Sequence, residues 1–225
     1  MNTLTRQALL GVIRFQVILA FLLFPPAWSL HFWQAGVYWT LFFLVVLFIT
    51  LYFLKHDPAL IVRRLHAGPS AEQEKSQKII LTIISVLTCV MFIVPGLDHR
   101  FHWSSVPTSA VVIADALVLV GFLIIFFVFK ENSYAASTVR VEAHQHVITT
   151  GPYRLVRHPM YVGAVLLFLA TPVALGSLWT FPVAFGLVGM IAVRLLEEEK
   201  YLVRTLLGYD SYCRKVRYRL IPYVW

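Results

Sequence analysis

Four apolar runs, each about as long as a bilayer is thick, restrict this chain more than any other feature. Residues 9–30, 35–54, 79–97 and 107–129 lie close to the ~20 residues a helix needs to cross the hydrocarbon core. A fifth apolar region, 161–196, is too long for one ordinary span. It is broken at Leu175-Gly176-Ser177-Leu178, with Pro172 and Pro182 on either side, and reads as a helical hairpin of two shorter spans back to back. Long uninterrupted runs favour helices over a barrel, whose strands would alternate. The expectation is an all-α, polytopic integral membrane bundle of about six transmembrane helices. The last two would form the hairpin, followed by a cytoplasmic C-terminal helix and tail.

Composition agrees. The chain is 59% hydrophobic and 13% charged, against roughly 25% charged residues in soluble domains. Mean hydropathy is +0.76. The first apolar run contains Arg14 and lacks a small-residue cleavage site, so it reads as a retained span. With the N-terminus in the cytoplasm and six crossings, all of the 19 Lys and Arg residues except Arg14 and Arg100 fall on the cytoplasmic side. That bias supports cytoplasmic N- and C-termini. It also accounts for the net charge of +8 without nucleic acid. Cys89 and Cys213 form no disulfide framework and no metal-binding spacing. The whole chain, 1–225, reads as a single membrane domain. Residues 1–130 supply four spans, and 131–225 supply a cytoplasmic loop, the hairpin and the tail. "HAGPSAEQEKSQK", 66–78, reads as a loop, and His56 and His66 as loop residues.

Polar chemistry concentrates at two places. "GPYRLVRHPMYVG", 151–163, opens the fifth apolar region. Pro159 biases His158 away from helix and suits the first turn of the helix that follows. Arg157 and His158 then stand at a helix N-terminus, which favours an anion. Tyr161 and Gly163 lie one turn in, and Gly163 lets a ligand or a neighbouring helix approach closely. The plain alternative makes Arg157 and Tyr161 interfacial anchors and His158 a cap. The second place is "RLLEEEKYL", 194–202. Three carboxylates at a helix C-terminus oppose the macrodipole and need a partner unless the helix runs on. Arg194 and Glu198, four apart, could pair. A hairpin returns both motifs to one face, where Arg157, His158, Glu198 and Glu199 could surround one cavity suited to a zwitterionic, nucleotide-like ligand. Arg14 and Asp115 lie inside apolar spans, where ionisable residues raise a functional question. His144 and His146 form an HxH pair without the carboxylate or cysteine neighbours of a metal site. No metal is expected.

These motifs, in this order around a broken apolar region and followed by "LLGYDSYCRKVRYRLIPYVW", resemble the bacterial branch of the isoprenylcysteine carboxyl methyltransferase family of membrane methyltransferases. The resemblance covers residues 147–225. It implies S-adenosylmethionine as cofactor and a lipophilic small molecule or lipid as acceptor, presenting a carboxylate, thiol or amine. It also implies a location in a bacterial inner membrane and no obligate protein partner beyond the membrane lipids. By motif position it implies catalytic roles for Arg157, His158, Tyr161 and Glu198. Cofactor contacts would come from Gly151, Tyr153, His158, Pro159, Tyr161, Gly163, Glu198 and Glu199, with Tyr209 and Tyr212 as further candidates. Membrane sterol reductases, which use NADPH, carry a similar RHPxY segment, usually with asparagine where this chain has Met160. A non-enzymatic membrane scaffold is the third expectation.

Overall fold

The computed structural model describes residues 2–65, 68–72, 74–135, 141 and 145–225. His66, Arg140 and His144 lie outside the described residues. Eight α-helices are described: α1 (Thr3–Ala27), α2 (Trp33–His56), α3 (Pro58–Leu65), α4 (Lys75–Phe101), α5 (Thr108–Glu131), α6 (Pro159–Ala174), α7 (Phe181–Thr205) and α8 (Tyr209–Lys215). Five helical segments are long and apolar enough to cross a membrane: α1, α2, α4, α5 and Leu178–Thr205, which contains α7. The architecture is the expected polytopic helical bundle. In such a solvent, helices satisfy every backbone group within the segment.

Several boundaries differ from the sequence reading. The hairpin breaks where expected, but its arms are unequal. Helix α6 has 16 residues and α7 has 25, so only α7 reaches a full span. The glutamates lie inside α7, because the helix runs on to Thr205. Helix α4 starts at Lys75, four residues ahead of its apolar run, and α3 occupies what the polarity pattern left unassigned. His56 is the last residue of α2, its ring stacked on Tyr52 at 4.1 Å. Arg14 is exposed along α1, and Asp115 is buried in α5.

Three contacts position the hairpin. Gly121 of α5 and Gly163 of α6 face each other so closely that a Cβ on Gly163 would lie 2.8 Å from the Gly121 carbonyl oxygen. Small residues permit this backbone contact between membrane helices. The α6–α7 turn is closed by Ser177 N donating to Pro172 O at 2.8 Å, with Gly176 at φ +69, a conformation that favours glycine. At that end Asp98 of α4 accepts from Ser104 N, Ser104 Oγ and Ser177 Oγ at 2.7, 2.7 and 2.6 Å. This joins the α4–α5 loop to the turn. The opposite end holds the N-terminus of α6, the charged end of α7, α8 and the tail.

Candidate functional site

A half-open cleft of about 120 Å³ lies at that end. Its lining comes from four segments. The α5–α6 connection contributes Asn132, Tyr134, His146 and Tyr153. The start of α6 contributes Arg157, His158, Pro159 and Tyr161. Helix α7 contributes Glu198 and Leu202, and the α8 region Leu206, Tyr209 and Tyr212. Arg157, His158 and Tyr161 therefore meet Glu198, distant in sequence, in one cavity, as the hairpin requires.

Local backbone chemistry explains the meeting. His158 has φ −125 and ψ 63, outside the helical region, and Pro159 starts α6. The tail runs alongside. Arg157 N donates to Tyr218 O at 2.9 Å, His158 N to Arg219 O at 3.0 Å, and Arg157 Nη2 to Arg217 O at 2.9 Å. Tyr212 Oη donates to Tyr153 O at 2.8 Å, and Asn132 Nδ2 donates to Tyr153 Oη at 2.8 Å. Helix α3 braces the same wall: Arg63 Nη1 donates to Ser133 O at 3.2 Å, and Arg64 Nη1 to Ala135 O at 3.1 Å.

The two expected glutamates differ in surroundings. Glu199 is enclosed by cationic and imidazole groups. Arg157 Nη1 lies at 2.8 Å, Arg219 Nε at 2.8 Å and His158 Nε2 at 3.3 Å. Both oxygens are engaged, and Glu199 does not line the cleft. Glu198 does. Its Oε2 accepts from Tyr161 Oη at 2.5 Å, and its Oε1 takes no hydrogen bond among the described residues. Arg194 reaches Glu198 through Tyr161: its Nε donates to Tyr161 Oη at 3.1 Å, while its Nη2 pairs with Glu72 at 2.7 Å. Arg157 Nε is buried without a partner among the described residues.

Burial holds three phenols of the cleft in the neutral form. It pushes the Tyr153 hydroxyl up to about 12, and those of Tyr209 and Tyr212 above the ordinary phenol value. They serve as donors and aromatic surface, not as bases. Tyr209 Oη lies 3.4 Å from His158 Nε2.

Two expected site residues sit elsewhere. The Cβ side of Gly163 is filled by Gly121 and Ile125, so the neighbour it admits is a helix. Gly151, at φ +55, faces Glu131. It lines a second, apolar groove of about 460 Å³ with Ile124, Phe127, Val162 and Leu220. Pro159 borders both cavities. Sequence reasoning missed Asn132, Tyr134, His146, Glu72 and Arg219. Only the ring-and-polar composition of 132–146 and the basic tail hinted at them.

Residues 109–207, somewhat less than half of the chain, match the family model for phospholipid methyltransferases. The match contains α5, α6, α7 and both motifs, and stops just before α8. The chain is also similar to the Delta(14)-sterol reductase of Mus musculus, 26% identical over 91 residues. That stretch is 39% of this chain and 22% of the reductase, so the chain spans about a fifth of the length of that curated relative.

Proposed function

We propose that the chain is an S-adenosylmethionine-dependent integral membrane methyltransferase acting on a lipophilic acceptor, its cleft facing the cytoplasm. The observation that carries this reading is a cleft lined by Arg157, His158 and Glu198, in which Glu198 Oε1 takes no donor among the described residues. A ligand carrying hydroxyl or ammonium donors for Glu198, and an anionic group for the Arg157–His158 side, complements that lining. The family match over 109–207 supports methyl transfer as the chemistry.

When bound, S-adenosylmethionine supplies an activated methyl group on a positively charged sulfur. Glu198 accepts from its hydroxyl or ammonium groups. Arg157 and the His158 region hold its carboxylate beside the α6 N-terminus. Tyr153, Tyr209 and Tyr212, all neutral, form aromatic wall. Glu199 acts at one remove by fixing Arg157, His158 and the tail. Displacement at a sulfonium needs alignment and exclusion of water more than acid–base assistance. The apolar groove on the far side of Pro159 supports a lipophilic acceptor.

The partial match to a sterol reductase favours one second reading, an NADPH-dependent reductase. Calorimetric titration of the detergent-purified protein with S-adenosylhomocysteine and, separately, with NADPH decides between them. Binding of the first alone is expected. Binding of NADPH alone overturns the methyltransferase reading, and binding of neither by folded protein removes both.

A further inference from the structure

Glu72 lies between α3 and α4, in the half of the chain outside the family match. Its side chain is fully buried, yet it belongs to a continuous line of polar contacts that ends in the cleft. Glu72 Oε1 meets Arg194 Nη2 at 2.7 Å, Arg194 Nε meets Tyr161 Oη at 3.1 Å, and Tyr161 Oη meets Glu198 Oε2 at 2.5 Å. The order of donors is forced. A guanidinium has only donors, so the Tyr161 oxygen must accept from Arg194 and its single proton must go to Glu198. That fixes Oε2 and leaves Oε1 for the cleft.

A helix alone would arrange these side chains differently. Arg194 and Glu198 are four residues apart on α7, the spacing at which opposite charges pair directly. Such a pair would occupy the carboxylate that the cleft presents. We infer that Glu72 is a positioning residue: by holding Arg194, it keeps that guanidinium off Glu198 and leaves the carboxylate open to ligand. This rests on the methyltransferase reading for the identity of the ligand, not for the geometry. It gives the N-terminal half a part in the site that span-forming helices alone would not have.

Two readouts test it on the full-length protein in detergent: affinity for S-adenosylhomocysteine, and carbodiimide labelling of Glu198 in ligand-free protein, followed by peptide mass spectrometry. In Glu72→Gln, Arg194 is expected to move to Glu198. Affinity should fall about tenfold, the scale of one lost charge-assisted contact, and labelling should fall several-fold. In Glu72→Gln with Arg194→Gln no cation remains to move, and labelling should return to the parental level with most of the affinity. An ion pair that merely ties two segments together predicts no such recovery of Glu198 reactivity. Arg194→Gln alone should label at or above the parental level, which keeps the test decisive if Glu72→Gln does not fold. Parental labelling in a folded Glu72→Gln, a double variant as protected as the single, or reduced labelling in Arg194→Gln overturns the inference. If the parent binds no S-adenosylhomocysteine, the function fails, and the labelling alone still judges the role of Glu72.

Discussion

Replacing Glu199 by glutamine separates a carboxylate that organises the site from one that touches ligand. Glu199 takes Arg157 Nη1 and Arg219 Nε at 2.8 Å each, and the Arg157 and Glu199 side chains are only 10% and 9% exposed. An amide in that place keeps the shape but removes the charge, and it turns an N–H₂ toward a guanidinium that can only donate. Breaking one side of a buried pair costs roughly 3–5 kcal/mol. The Arg219 side chain is 32% exposed and therefore screened, so the low end, about 3 kcal/mol, applies. The loss falls on the contact between tail and α6, because Arg219 belongs to the tail. The amides of Arg157 and His158 report it, since they donate to Tyr218 O and Arg219 O. A local opening made easier by about 3 kcal/mol speeds exchange of those two amides on the order of 100-fold. Hydrogen–deuterium exchange of ligand-free protein measures this directly. A folded Glu199→Gln variant with parental exchange at both amides, but without affinity for S-adenosylhomocysteine, would refute the reasoning and make Glu199 a ligand contact.

Glu198→Gln should behave in the opposite way, weakening S-adenosylhomocysteine about tenfold in calorimetry with exchange at Arg157 and His158 unchanged, as expected for one charge-assisted contact. Gly163→Ala sets a Cβ 2.8 Å from both the Gly121 carbonyl oxygen and Ile125 Cγ1; thermal unfolding in detergent should show a loss of about 1–3 kcal/mol from overpacking. Asp98→Ala strips the acceptor from Ser104 N and from the Ser104 and Ser177 hydroxyls at the far end of the bundle; it should lower the melting temperature while S-adenosylhomocysteine affinity is retained in the folded fraction.

The hairpin was legible because its signals are local. A glycine at positive φ and two prolines break an apolar region too long for one span, and the break alone brings 157–161 and 198 to the same end. Which glutamate faces the cleft was not legible. Glu198 and Glu199 are consecutive, and successive helix positions point about 100° apart. The choice depends on where the tail lies, and the tail is placed by Arg219 and two backbone hydrogen bonds. The i, i+4 rule misled at Arg194 for a similar reason: Glu72, distant in sequence, competes for the same guanidinium. Gly163 was ambiguous between ligand and helix because a missing Cβ says only that something comes close. Helix α3 went unread because eight residues carry too little pattern to stand out between a span and a polar stretch.

The shortness of α6 connects the fold to the proposed reaction. At ~1.5 Å per residue its 16 residues reach about 24 Å, some 6 Å less than the hydrocarbon core. Its far end is held beside Asp98 through the Ser177 turn. A span matched to the bilayer at that far end would leave the shortfall at the end that bears Pro159, Arg157, His158 and Tyr161. At its actual length, Pro159 borders the polar cleft on one side and the apolar groove on the other. On the proposed reading, a polar cofactor would approach that point from the cleft and a membrane-dissolved acceptor from the groove. Gly121 and Gly163 make this possible: their backbone contact fixes the depth of α6 against α5, so a helix too short to span keeps its polar end at one level.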